Sequence, residues 1–247
     1  MSRFRNSSAY KHAIGSFYKR EQWYSDLRPC TSASDAQGIA ASLNHIAFVL
    51  ESGNAVGVIK EGNYAKREPF KIHAHSAQIY DLQFAPYNDN LLATGADDGR
   101  LRIWDIPESG LTADLSNSKI DLNGHRKRVS AIRFHPVADN VLASGGNDSK
   151  VLIWDVQVGA PAFNFDVDDN VQGLSWNYDG SLLALTTAAK TVSVWDPRNQ
   201  IRVQVIFFLF FKIFFFHFLI NFISFYFLVW SGTPRCESYS CCLVRSQ

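Results

Sequence analysis

From residue 73 to residue 161, apolar side chains fall in short runs separated by turn-forming residues. Ile79, Leu82 and Phe84 form one run, Leu91 to Ala93 a second, and Leu101, Ile103 and Trp104 a third. Asn, Asp, Gly and Pro punctuate the runs, as short strands joined by hairpin turns require. The pattern then recurs. His75 to Asp105 (HSAQIYDLQFAPYNDNLLATGADDGRLRIWD), moved along by 50 residues, falls on His125 to Asp155 (HRKRVSAIRFHPVADNVLASGGNDSKVLIWD). A further shift of 41 brings the second half onto Leu182 to Asp196, LLALTTAAKTVSVWD.

Self-similarity at a period near 40 to 45 residues, with a Gly-His start and a Trp-Asp end, is the mark of a β-propeller blade. His75 and His125 each lie 29 residues before a tryptophan, Trp104 or Trp154. Asp98 and Asp148 lie 6 before it, and Thr94 and Ser144 lie 10 before it. An imidazole, a carboxylate, a hydroxyl and an indole N–H at these offsets can form a closed hydrogen-bonded chain inside each blade. A buried carboxylate there is tolerable because it is paired. His, Asp and Ser/Thr also make up hydrolase triads, but one set recurring at the same offsets in two copies is structural glue; an active site needs a single copy. The fold class expected is all-β, a WD-repeat propeller.

Two flanking copies are weaker. Ile39 to Val58 carries three apolar runs without the Trp-Asp ending, a degenerate first blade. In the last copy Val167, Leu185 and Ala189 stand where His, Ser and Asp are expected, and only Trp195-Asp196 remains. That blade is expected to rest on apolar packing. The repeats place blades at about 30–72, 73–118, 119–161 and 162–202. Residues 1–29 precede them as a basic, aromatic segment.

Composition changes the picture at two points. Net charge is +1, which excludes a global pull toward nucleic acid. The first twenty residues lack an apolar run, so no secretory signal is read and a cytoplasmic location is expected. Four cysteines, three of them crowded at the end, make no disulfide framework. No phosphate-binding glycine loop is present, and neither catalytic residues, cofactor nor metal site is expected. Eleven of the 19 phenylalanines lie between Phe207 and Phe227, so a different composition begins near residue 203.

The opening YKHAIG at Tyr10 to Gly15 and YSDLR at Tyr24 to Arg28 resemble the start of coronins. So do GHRKRV, HPVADNVLASGGND and the WN-Y-DGSLLALT…VWDPR run that ends at Arg198. The resemblance covers about residues 8 to 202. It implies a seven-bladed propeller, of which about four blades are present, that binds filamentous actin and other cytoskeletal proteins. Coronins carry a filament-associated arginine in the first-blade region, and the matching residue is Arg28. Arg126, Lys127 and Arg128 form a second basic cluster at a blade connection, which reads either as a solvated loop or as a patch that steers an acidic filament. No heptad pattern follows, so no coiled-coil oligomerisation or filament bundling is expected.

Residues 203–230 are read as a hydrophobic, helical segment, with an unstructured tail at 231–247. Two origins fit. Val205 to Trp230 is long enough to cross a bilayer. Equally, every residue from Ile206 to Leu228 except His217 and Ser224 has a codon made only of A and T, as a translated intron in a truncated coronin would. Cys236, Cys241 and Cys242 lack the spacing of a zinc site. The leading function is a non-enzymatic, actin-filament-binding scaffold. The alternatives are a membrane-anchored WD-repeat adaptor and a non-functional fragment.

Overall fold

A computed structural model of the chain describes residues 19, 23–24, 27–31, 37–62 and 69–207. Among the described residues all regular structure is β. Sixteen strands form four four-stranded antiparallel sheets, each a simple meander. The first sheet holds β1 (Ile39–Ala41), β2 (His45–Val49), β3 (Val56–Lys60) and β4 (Phe70–Ile72). The second holds β5 (Ile79–Ala85), β6 (Asn88–Ala96), β7 (Arg100–Asp105) and β8 (Ile120–Asn123). The third holds β9 (Val129–Phe134), β10 (Val141–Gly146), β11 (Lys150–Asp155) and β12 (Ala160–Asp166). The fourth holds β13 (Val171–Trp176), β14 (Leu183–Thr187), β15 (Thr191–Asp196) and β16 (Ile201–Phe207).

The first strands of successive sheets pack on one another in order, β1 on β5, β5 on β9 and β9 on β13. The sheets are therefore blades, and the all-β WD-repeat architecture read from the sequence is the one observed. Successive side chains on a strand point to opposite faces. Because both faces of a blade are covered, central strands read as continuous apolar runs. On β6, Leu92 joins Val56, Ile72, Phe84 and Trp104 between blades one and two. Its neighbours Leu91 and Ala93 join Leu101, Ile132, Leu142 and Trp154 between blades two and three. Between blades three and four the core is Val151, Ile153, Leu174, Leu185 and Trp195.

The blades do not begin and end where the repeats do. The second repeat ends at about Ser118, yet β8 lies beyond it and pairs with β7, Leu101 opposite Leu122. Likewise β12 extends the third sheet to Asp166. The repeat boundary falls before the outermost strand because the Trp-Asp ending closes β7 and β11, not the sheet.

A second correction concerns the segment read as helical from residue 203. Its first five residues belong to β16, which pairs with β15 from Asp196↔Ile201 to Thr191↔Phe207. The alternation Ile-Arg-Val-Gln-Val supplies the outer strand of blade four, and tertiary pairing overrides the change of composition. The remainder of that segment, the tail at 231–247 and most of residues 1–29 lie outside the described residues. Among the described residues no helix is long and apolar enough to cross a membrane.

Candidate interaction rim and the networks that hold it

Each blade exposes two rims. One carries the β2–β3, β6–β7, β10–β11 and β14–β15 turns with the connections between blades. The other carries the turns between the first two strands of each sheet. The recurring His, Asp and hydroxyl residues gather at the first rim.

In blade two, Trp104 Nε1 donates to Thr94 Oγ1 at 3.0 Å, and Thr94 Oγ1 lies 2.8 Å from His75 Nε2. His75 Nδ1 lies 3.2 Å from Asp98. Blade three repeats this with Trp154 Nε1 to Ser144 Oγ (2.8 Å), Ser144 to His125 Nε2 (2.7 Å) and His125 Nδ1 to Asp148 (3.0 Å). An indole can only donate and a carboxylate only accept, so the chain has one polarity. The hydroxyl gives its proton to Nε2, and each ring is neutral with its hydrogen on Nδ1. Burial depresses the pKa of both rings, against the pull of Asp98 and Asp148. Burial of Asp148 raises its pKa, but the bonds from the Arg126 N–H and His125 outweigh that and hold it below the usual carboxylate range.

The predicted chain is therefore present in both copies, but it is open rather than closed. Its carboxylate end is anchored on backbone: Asp148 accepts the N–H of Arg126 at 3.0 Å, and Asp98 that of Arg100 at 3.1 Å. Blade four rewires it. Val167 lies four residues before β13, as His125 lies four before β9. Leu185 pairs with Ser193, the reverse of Ser144 pairing with Leu152. Trp195 Nε1 donates to Ser193 Oγ at 3.0 Å, so the hydroxyl has moved to the neighbouring strand. Apolar packing is thus joined by one polar bond there.

The four basic residues share this first rim but differ in their surroundings. Arg28 is exposed beside the β2–β3 turn, its carbonyl accepting the N–H of Glu51 at 3.0 Å. Leu27 anchors that segment against Phe48, Leu50 and Ala55. Arg126 and Lys127 are exposed on the connection from β8 to β9. Arg128 is half-buried, its guanidinium 4.3 Å from the centroid of the Tyr80 ring. With the Asn147 amide oxygen turned toward it, Arg128 also donates to that oxygen from Nη2 (2.8 Å) and Nε (3.1 Å).

The connection is gripped from both sides. The backbone N–H of Asn147 donates to the carbonyl of Arg128 at 2.8 Å. On the other side Gly99, at φ +74°, lies so close that a Cβ would meet the carbonyl oxygens of His125 and Lys127 at 3.0 Å. Arg126 and Lys127 are therefore presented on a fixed backbone.

A network that the repeat pattern did not reveal joins the innermost strands. Asp81, 2% exposed, accepts from Arg133 Nη1 (2.6 Å), the Ile132 N–H (2.9 Å) and the Leu82 N–H (2.9 Å). Arg133 Nη2 donates on to Gln37 at 2.9 Å, and Gln83 Oε1 accepts the Phe134 N–H at 2.8 Å. One ion pair thus ties β5 of blade two to β9 of blade three. Burial raises the Asp81 pKa to about 6, against the opposing effect of Arg133 and the two N–H groups. These residues do not recur between copies, so periodicity could not find them. Among the described residues there is no group of three or more His, Cys, Asp or Glu placed to hold a metal.

Comparison with known proteins agrees with this architecture. Residues 3–65 match a family model described as a domain of unknown function (DUF1899). Residues 67–105, 116–155 and 161–196 match the WD domain, G-beta repeat. The chain is 33% identical over 212 residues to the Coronin-like protein of Saccharomyces cerevisiae, covering 80% of this chain and 32% of that one. It is 41% identical over 198 residues to human Coronin-2B, covering 78% of this chain and 41% of the relative. The crystal structure of the WD40 domain from Toxoplasma gondii coronin superposes with a TM-score of 0.71 at 31% identity, covering 75% of this chain and 48% of that one. The chain thus spans less than half the length of these relatives. With the DUF1899 and WD-repeat matches, and coronins as relatives in both sequence and structure, it belongs to the coronin family.

Proposed function

We propose that the chain is a non-enzymatic, actin-filament-binding scaffold that works in the cytoplasm at the actin cytoskeleton. The observation that carries this reading is the rim on which Arg28, Arg126 and Lys127 are all exposed. Actin filaments are acidic, and cations on a fixed backbone attract such a surface without paying for loop ordering on binding. Arg126 and Lys127 make the contact. Arg128, held on Tyr80 and Asn147, positions them. Arg28 adds a further exposed cation on the same rim, at blade one.

Co-sedimentation with actin filaments tests the reading. The full chain pellets with filaments, and the bound fraction falls as salt is raised, because exposed charges are screened. Arg28→Asp weakens binding about tenfold, the scale of a reversed charge at an interface. Binding that ignores both salt and Arg28→Asp would overturn it.

A further inference from the structure

The opposite rim carries a second repeating feature that the actin reading leaves unused. The turn between the first two strands of every blade exposes one large apolar side chain. These are Leu43 (77% exposed), Tyr87 (57%), Val137 (58%) and Tyr178 (86%). Scattered single apolar residues need no explanation, but one per blade at the same turn is a row.

The row is rigid, because each turn is bonded to the next. The Leu43 N–H donates to Asp89 at 3.3 Å. Tyr87 Oη donates to the Pro136 carbonyl at 2.6 Å, which lays its ring across the gap between blades two and three. His135 accepts the N–H groups of Val137 (3.1 Å) and Ala138 (2.7 Å) on Nδ1, so its hydrogen is on Nε2, which donates to the Gly180 carbonyl at 3.0 Å.

The row is also acidic. The turns read SLN, PY, HPVADN and NYDGSL, and together with Asn88-Asp89-Asn90 at the start of β6 they hold Asp89, Asp139 and Asp179 without a Lys or Arg. Asp139 and Asp179 are exposed. Bonds from the Ser181 N–H (2.9 Å) and hydroxyl (2.8 Å) hold the Asp179 pKa below the usual carboxylate range, so it stays charged. Further out on the same rim Lys119 is paired with Asp105 at 2.8 Å, and Arg198 sits at the outer turn of blade four.

We propose that this row docks an extended segment of a partner protein, basic and apolar in turn, whose apolar side chains seat on Tyr87, Val137 and Tyr178 while its lysines or arginines face Asp89, Asp139 and Asp179. Charge complementarity selects the occupant. Phosphate-bearing surfaces, nucleic acid or anionic lipid, are repelled by three carboxylates. Packed sheets stand about 10 Å apart, and an extended chain of the polyproline II type rises about 3.1 Å per residue with three residues per turn, so an anchor at every third residue faces the same side and meets one blade after another. A straight α-helix would leave a row that curves around the propeller axis.

The test is fluorescence anisotropy with the full chain and a labelled probe of about twelve residues, matching four blades at three residues each. The probe has leucine at every third position with lysine and serine between, and its control has glutamate for lysine. The probe binds, and the control binds at least about tenfold more weakly. Tyr178→Ser with Asp139→Lys weakens probe binding by about tenfold or more. Val137→Ser alone weakens it in the same direction, and its unfolding midpoint, measured alongside, stays at the parent value. Arg126→Glu with Lys127→Glu, on the other rim, leaves it unchanged. Failure of the probe to bind, equal binding of probe and control, or indifference to the Tyr178 and Val137 variants would each overturn the proposal, whatever the outcome with actin.

Discussion

Asp148 holds the ring of His125 and the backbone N–H of Arg126 with one carboxylate, each at 3.0 Å. The group that ends the interior chain of blade three therefore also fixes the first residue of the exposed basic connection. Stability of the blade and geometry of the rim rest on the same side chain.

Asp148→Ala accordingly destabilises the chain, by about 2–4 kcal/mol, because it strands His125 Nδ1–H and the Arg126 N–H together. Urea denaturation measures it. An unfolding midpoint equal to the parent's would show that the His–Asp link carries no stability. His125 adds a pH dependence of known sign. Its folded pKa is lowered, so the neutral ring contributes stability that is present above the ordinary histidine pKa and is lost as pH falls below it through the folded value.

Blade four offers a swap experiment. Ser193→Ala leaves the buried Trp195 N–H without its partner and costs about 1–3 kcal/mol. Leu185→Ser combined with Ser193→Leu restores the arrangement of blade three, where Ser144 faces Leu152. The double variant is therefore more stable than Ser193→Ala, with the indole bonded across strands instead of along one. A double variant no better than Ser193→Ala contradicts the equivalence of the two sites.

This rewiring marks the limit of what the sequence discloses. His75, Thr94, Asp98 and Trp104 could be found because His125, Ser144, Asp148 and Trp154 repeat them at fixed offsets. Repetition turned ordinary polar residues into a signal. Ser193 is a serine two residues before a tryptophan, and only its register opposite Leu185 gives it meaning. Asp81 and Arg133 pair across blades 52 residues apart, with no second copy to betray them. The limit of the fourth sheet was hidden for another reason. Composition changes near residue 203, but backbone pairing with β15 carries the strand on to Phe207.

Asp81 gives the sharpest pH signature. Its folded pKa is raised to about 6 from an ordinary 3.8, so the folded state holds the proton more tightly than the unfolded one. The fold is then least penalised below the ordinary value, and loses stability as pH rises through the window from about 4 to 6. Above that window the full cost of the buried charge is present. Asp81→Asn cannot titrate. The difference in unfolding free energy between parent and variant shifts toward the variant by about 2 kcal/mol from pH 4 to pH 6.5 and is nearly flat above. A difference that stays constant across the window contradicts the assignment.

At the opposite rim, Gly180 is held at φ +72°, and a Cβ there would stand 2.0 Å from the ring of His135. Gly180→Ala must therefore strain its backbone and expel the histidine that links blades three and four. The expected loss is about 3 kcal/mol, the sum of a left-handed residue without glycine and a broken buried contact. Thermal unfolding of the variant checks it, and a melting temperature within error of the parent's would mean the two turns are not joined there.

The most direct test of the central claim compares the two rims in one experiment. The full chain, its Arg126→Glu/Lys127→Glu variant and its Tyr178→Ser variant are co-sedimented with actin filaments at moderate salt. The account predicts that reversing the two cations reduces filament affinity about tenfold or more, while Tyr178→Ser binds as the parent does. Parent-like binding by the charge-reversed variant, or loss of binding in Tyr178→Ser, would place the filament surface elsewhere and contradict it.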